Sequence, residues 1–172
     1  SMNNKIKKAK DATKALVIDW GIGGFSVVRQ LQKKKLPLEV IYVSDSGFTP
    51  YGKLSKQEVR ERIADIVKTI SRDHKIDLVI IACNAASTAF IGKTKILKRP
   101  LINMIDPAAK ALSKKERGDI TVVGGDLTVK SKSYSQLLKK SKNKVHEISL
   151  QPLSALIEKG ITSGAKIESL LR

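Results

Sequence analysis

The chain is poor in the residues that cross-link small proteins or bind metals. Its 172 residues include one cysteine, two histidines and one tryptophan, and aromatic residues make up only 4%. A single thiol excludes a disulfide framework and suits a reducing, cytoplasmic setting. The His and Cys content matches no metal-ligand spacing, so no metal is expected. No apolar run approaches the roughly 20 residues that cross a bilayer, and Ala15-Leu16-Val17-Ile18, which follows the basic start, is too short for a signal sequence. Neither export nor a membrane partner is expected.

Acidic residues are scarce too: 16 against 33 Lys and Arg, a net charge of +17. Such a balance invites nucleic acid as a partner. The lysines, however, fall in scattered runs at 5–14, 33–35, 93–99 and 130–144. There are few rings to stack on bases, and no helix-turn-helix or RNA-binding signature is present. Solvated lysine faces are therefore the reading, and nucleic acid is not expected to bind.

What remains is a globular chain, 41% hydrophobic, long enough for a genuine core. Short apolar runs alternate with helical periodicity: Ala15–Asp19, a glycine turn and a helix to about Lys35 with Phe25, Val28 and Leu31 inward; Leu38–Asp45; a capped helix from Ser55 to about His74. Then follow Asp77–Cys83, Leu101–Ile105, Asp119–Gly124 and Lys144–Ser149, with helices between and two more at the end. This alternation predicts a doubly wound α/β architecture. Asp19, Asp45, Cys83 and the Gly124 turn each close a strand, which predicts that they share one edge of their sheets.

Cys83 is the focus. It ends a continuous apolar run and opens a small-residue helix, Asn84-Ala85-Ala86-Ser87. One reading makes it a small buried hydrophobe. The other makes it a reactive thiol whose pKa is drawn below about 8.5 by the helix start. In the loop after the second strand, Pro50 and Gly52 pin the backbone around Tyr51, an arrangement suited to presenting its hydroxyl. The Gly21-Ile22-Gly23-Gly24 turn has Ser26 where a dinucleotide fingerprint needs glycine or alanine, so no nucleotide cofactor is expected. His74 falls at a helix end and His146 on a strand's solvent side, which suits neither to catalysis.

Five segments then add up to a resemblance: Ile18-Asp19-Trp20-Gly21-Ile22-Gly23-Gly24-Phe25-Ser26-Val27, Pro50-Tyr51-Gly52, Ala82-Cys83-Asn84-Ala85-Ala86-Ser87, Ile105-Asp106-Pro107 and Gly125-Asp126-Leu127-Thr128-Val129-Lys130-Ser131. In this order they resemble the motifs of the glutamate racemases. The resemblance implies two flavodoxin- or Rossmann-like domains facing a cleft, 1–98 and 99–172, the first completed by a further C-terminal segment. It implies a cofactor-free cytoplasmic isomerase making D-glutamate for peptidoglycan, with a homodimer left open. It assigns Cys83 and Asp19 to catalysis, and the positions of Trp20, Pro50, Tyr51, Gly52, Asn84 and Ala85 to substrate. Trp20 replaces the family's serine and Ala85 its threonine, so two hydroxyls are absent. A second catalytic cysteine, in a Cys-Thr-His strand, is expected beyond Arg172, which would leave these 172 residues inactive alone. A non-catalytic amino-acid or small-anion binding protein is the alternative.

Overall fold

The computed structural model describes residues 12–114 and 118–171. Five strands form the first sheet: β1 (Thr13–Asp19), β2 (Leu38–Ser44), β3 (Leu78–Ile81), β4 (Lys95–Ile96) and β5 (Arg99–Asn103), in the order β2-β1-β3-β5-β4. All neighbours are parallel except the edge pair β4–β5. The first helices are α1 (Phe25–Lys33), α2 (Lys56–Asp73) and the single turn α3 (Asn84–Ser87), which runs into a 3-10 turn at Thr88–Phe90.

Burial follows the period-2 alternation of strand side chains. Leu16 and Ile18 of β1 face α2, packing with Val59, Ile63, Val67, Val79 and Ile81, while Ala15 and Val17 face Val27, Val28 and Leu31 of α1. Helices on both faces make β1 and β3 read as unbroken apolar runs. Each fully buried Ile or Leu here contributes about 1.5–3 kcal/mol. A capping box opens α2: the Ser55 hydroxyl accepts from the Glu58 amide, and the Glu58 carboxylate accepts from the Ser55 amide. Phe25, expected inward, is exposed instead and stacks on Tyr42 of β2 at 4.3 Å.

The second region comprises α4 (Ile105–Leu112), β6 (Asp119–Gly124), α5 (Asp126–Lys130), α6 (Ser133–Leu137), β7 (Lys144–Ser149), α7 (Gln151–Glu158) and α8 (Ala165–Leu171). Strands β6 and β7 form a two-stranded parallel sheet. The expected division at residue 98 is corrected: β5 pairs with β3, so the first sheet extends to Asn103. The break read at Arg99-Pro100 is the far side of a tight β4–β5 hairpin rather than a linker. Likewise Asp106-Pro107 does not end a strand but sits in the first turn of α4, where proline is tolerated. Asn103 makes the switch, its Oδ1 accepting from the amides of Ile105 and Asp106 at 3.0 and 2.9 Å.

Candidate active site

Parallel pairing places β1 beside β3 with Ile18 opposite Ile81, and the Ala82 amide donates to the Ile18 carbonyl at 2.8 Å. Asp19, which closes β1, therefore lies next to Cys83, which follows β3. The Asp45 amide donates to the Asp19 carbonyl at 2.9 Å, so Asp19, Asp45 and Cys83 share the strand-end edge expected of them. Helix α5, just after Gly124, packs against α3 and against the 3-10 turn Tyr51–Lys53. Tyr134 of α6 donates its hydroxyl to Asn84 Oδ1 at 3.0 Å. The two regions thus meet beside Cys83.

Asp19 is buried, and its Oδ2 accepts from the Gly24 amide at 2.8 Å. A Cβ at Gly24 would meet the Asp19 Cβ at 2.8 Å and the Tyr42 ring at 2.9 Å, so only glycine allows this approach. At Gly21 the close neighbour comes from the second region: a Cβ there would run into the Glu158 carboxylate. Tyr42 donates to the Gly21 carbonyl at 2.9 Å. Burial, with the negative charges of Asp19 and Glu158, pushes its hydroxyl pKa up to about 12.

The expected depression of the Cys83 thiol is reversed. Burial, and then the negative charge of Asp19, push it up to about 12, against hydrogen bonds from the amides of Ala86, Trp20 and Ala85 that favour the thiolate. The helix it opens is only four residues long, too short for a strong dipole. Cys83 thus rests as a neutral thiol whose sulfur is ringed by backbone donors. Ser87 reinforces the turn, donating to the Cys83 carbonyl at 2.8 Å.

Trp20 is half-buried and ties the first turn to the next loop, its indole N–H donating to the Phe48 carbonyl at 2.9 Å. Pro50 leads into the 3-10 turn, where Gly52 is exposed with open space around it. Tyr51 does not present its hydroxyl outward. It is 1% exposed and donates to Asp45 Oδ2 at 2.8 Å. Its pKa is raised by burial and by Asp45. Asn84 is exposed, with Ala85 half-buried beside it.

Residues that sequence reasoning missed complete the edge. Arg62 donates from Nε to Asp45 Oδ2 at 2.9 Å and pairs its NH2 with the other carboxylate oxygen, and its guanidinium lies 4.2 Å over the Phe48 ring. A signal existed, since Arg62 interrupts the apolar stripe of Val59, Ile63 and Ile66 on α2. Tyr134, Tyr42 and Glu158 gave none, because they reach the site only through tertiary packing. His74 and His146 are both exposed. Among the described residues no group of three or more His, Cys, Asp or Glu could hold a metal ion, and no helix is long and apolar enough to cross a membrane.

With this geometry in place, comparison with known proteins gives a consistent answer. Residues 25–172 match the family described as Asp/Glu/Hydantoin racemase. The chain is 34% identical over 160 residues to a glutamate racemase of Oceanobacillus iheyensis, covering 90% of this chain and 58% of that protein. It is 32% identical over 161 residues to that of Helicobacter pylori, covering 91% and 63%. The crystal structure of the Campylobacter jejuni glutamate racemase superposes with a TM-score of 0.82 at 27% identity, over 92% of this chain and 65% of that one. A Francisella tularensis glutamate racemase solved with D-glutamate gives 0.74 at 26% identity, over 93% and 61%. The chain thus spans about 58% of the length of the first of these relatives.

Proposed function

The chain belongs to the Asp/Glu/Hydantoin racemase family, and on that premise we propose that it serves cofactor-independent interconversion of L- and D-glutamate, supplying D-glutamate for peptidoglycan, with Cys83 working on one face of the substrate Cα. The observation that carries this reading is Cys83 itself: a neutral thiol at the strand-end edge, beside buried Asp19 and within reach of three backbone amides.

Removing a proton from Cα needs a base on one face, and returning it with inverted configuration needs an acid on the other. The resting thiol is equipped to donate. To abstract, it must ionise, and the substrate's α-ammonium would bring the positive charge that favours this, countering Asp19. The amides around the sulfur already stabilise the thiolate, and burial strengthens those dipoles. In this reading Trp20, Pro50, Gly52, Asn84 and Ala85 contact the substrate, and Tyr51 steadies their loop through Asp45. The opposite face calls for a second acid–base group. Cys83 is the sole cysteine in these 172 residues, and neither histidine lies at this edge.

A second reading, a racemase-like protein that binds an amino acid or small anion without turning it over, is favoured by Trp20. Its indole stands where the resemblance places a serine hydroxyl, and its N–H is already engaged by Phe48. Proton NMR of L- and D-glutamate in D2O separates the two. The racemase reading expects slow deuterium uptake at Cα of one enantiomer, abolished by Cys83→Ser. Uptake undiminished in that variant would overturn it, and binding without uptake would select the second reading.

A further inference from the structure

Parallel pairing that gathers Asp19, Asp45 and Cys83 at one edge gathers the strand starts at the other, and that second edge has a chemistry of its own. The Thr13 amide donates to the Pro37 carbonyl at 3.2 Å and the Asp77 amide to the Lys14 carbonyl at 3.0 Å, while Arg99 opens β5 beside them. Two loops project there. One is Lys33-Lys34-Lys35-Leu36-Pro37, and the other is the β4–β5 hairpin with Leu97-Lys98 at its tip. Each exposes a leucine among cations: Leu36 is 48% and Leu97 40% exposed.

We propose that this strand-start edge docks on an anionic lipid bilayer, with Leu36 and Leu97 entering the interface and the surrounding lysines and arginine meeting the headgroups. The charge is available. The acidic Glu39 and Asp77 are ion-paired with Lys14 and Lys75, whereas Lys33, Lys34, Lys35, Lys98 and Arg99 form no ion pair among the described residues. The backbone supports the same conclusion. Lys35, Leu97 and Lys98 all hold positive φ, at 50°, 45° and 66°, a region where glycine or asparagine would sit without strain. Leu97 thus holds a strained backbone at the hairpin tip while 40% of its surface stays open to solvent.

Lipid fits better than nucleic acid. Neither tip carries an aromatic ring to stack on a base, and exposed leucines contribute nothing to a phosphate backbone. The composition argued against a membrane partner only because no segment can span one, and a peripheral contact needs none. Cations near an anionic leaflet together with shallow apolar anchors are sufficient, and the attraction is screened by salt. The seven residues of β1 put the Cys83 edge roughly 20 Å from this surface. A docked molecule would therefore keep its reactive edge turned away from the bilayer. This inference does not depend on the catalytic reading.

The test is sedimentation of the 172-residue chain with vesicles of phosphatidylcholine, alone or with about one-third phosphatidylglycerol. Binding is expected to the mixed vesicles only, and weaker at high salt. The double variant Lys34→Glu/Lys35→Glu should lose about tenfold or more, while Lys139→Glu/Lys140→Glu, an equal charge change in the second region, should stay within about twofold. Leu36→Ser/Leu97→Ser, with charge unchanged, should also lose about tenfold. Circular dichroism checks that each variant keeps its fold. No binding to the mixed vesicles, equal losses from both lysine pairs, no loss from the leucine pair, or tighter binding to duplex DNA than to vesicles would each overturn the proposal.

Discussion

The two sheets, parallel but for the β4–β5 edge pair, use the same strand–helix alternation but differ in what covers them. In β1 five consecutive residues from Ala15 to Asp19 are buried, with α1 on one face and α2 on the other. In β6 burial alternates, Ile120 and Val122 packing toward Ile105, Tyr134 and Leu138 while Val123 is 53% exposed, and in β7 Ile148 is 48% exposed. A parallel strand looks uniformly apolar only where both its faces are covered. The candidate active site lies where β1 and β3, covered on both faces, end and the half-covered second sheet leans on them.

The largest expected effect sharpens that contrast. Ile81→Ala, at a fully buried position, should cost about 3 kcal/mol in denaturant unfolding. Ile148→Ala on the open face should cost about 0.5 kcal/mol or less. Similar costs would break the comparison. Next comes the pair that pins the Tyr51 loop to the first sheet. Arg62→Ala leaves the buried Asp45 charge without its partner and should cost about 2 kcal/mol, less than a fully buried pair because Arg62 is one-third exposed. An unchanged unfolding midpoint would show that the pair does not hold the loop.

A pH effect follows from the thiol. The native Cys83 pKa lies above the unfolded value of about 8.5, so the folded state holds this proton more tightly. The resulting stability is complete below about pH 8.5 and is lost as pH rises toward the native pKa, on the order of 1 kcal/mol per pH unit. The parent should therefore lose stability relative to Cys83→Ala only above that pH. Parallel curves would mean that the thiol is not perturbed. The smallest effect concerns the contact between regions. Tyr134→Phe removes the bond to Asn84 and should cost about 1 kcal/mol, with faster hydrogen exchange confined to residues near 84–88.

Much of this architecture is legible in the sequence, for local reasons. The runs at 15–19 and 78–81, the Ser55–Glu58 box and the stripe of Val59, Ile63, Ile66 and Val67 are periodic signals within single elements. Their strand ends place Asp19, Asp45 and Cys83 on one edge once the sheet is taken as parallel. Non-local effects were not legible. Pro100 suggested a break, yet the two left-handed residues before it fold β4 back onto β5. The thiol's environment was misjudged because a helix start is visible in sequence, whereas the burial and the Asp19 charge that outweigh it come from β1 lying next to β3. Tyr51 turned inward for the same kind of reason: its partners Asp45 and Arg62 converge only in three dimensions.

The account depends most on Cys83 being a neutral, half-buried thiol tuned by Asp19 rather than a preformed thiolate. The direct measurement is the rate of Cys83 alkylation in the native protein as a function of pH. The rate should be slow at neutrality and rise about tenfold per pH unit, with no plateau up to the onset of alkaline unfolding. Asp19→Asn should bring the midpoint down. A plateau at or below about pH 8.5, the unperturbed thiol value, would contradict the account.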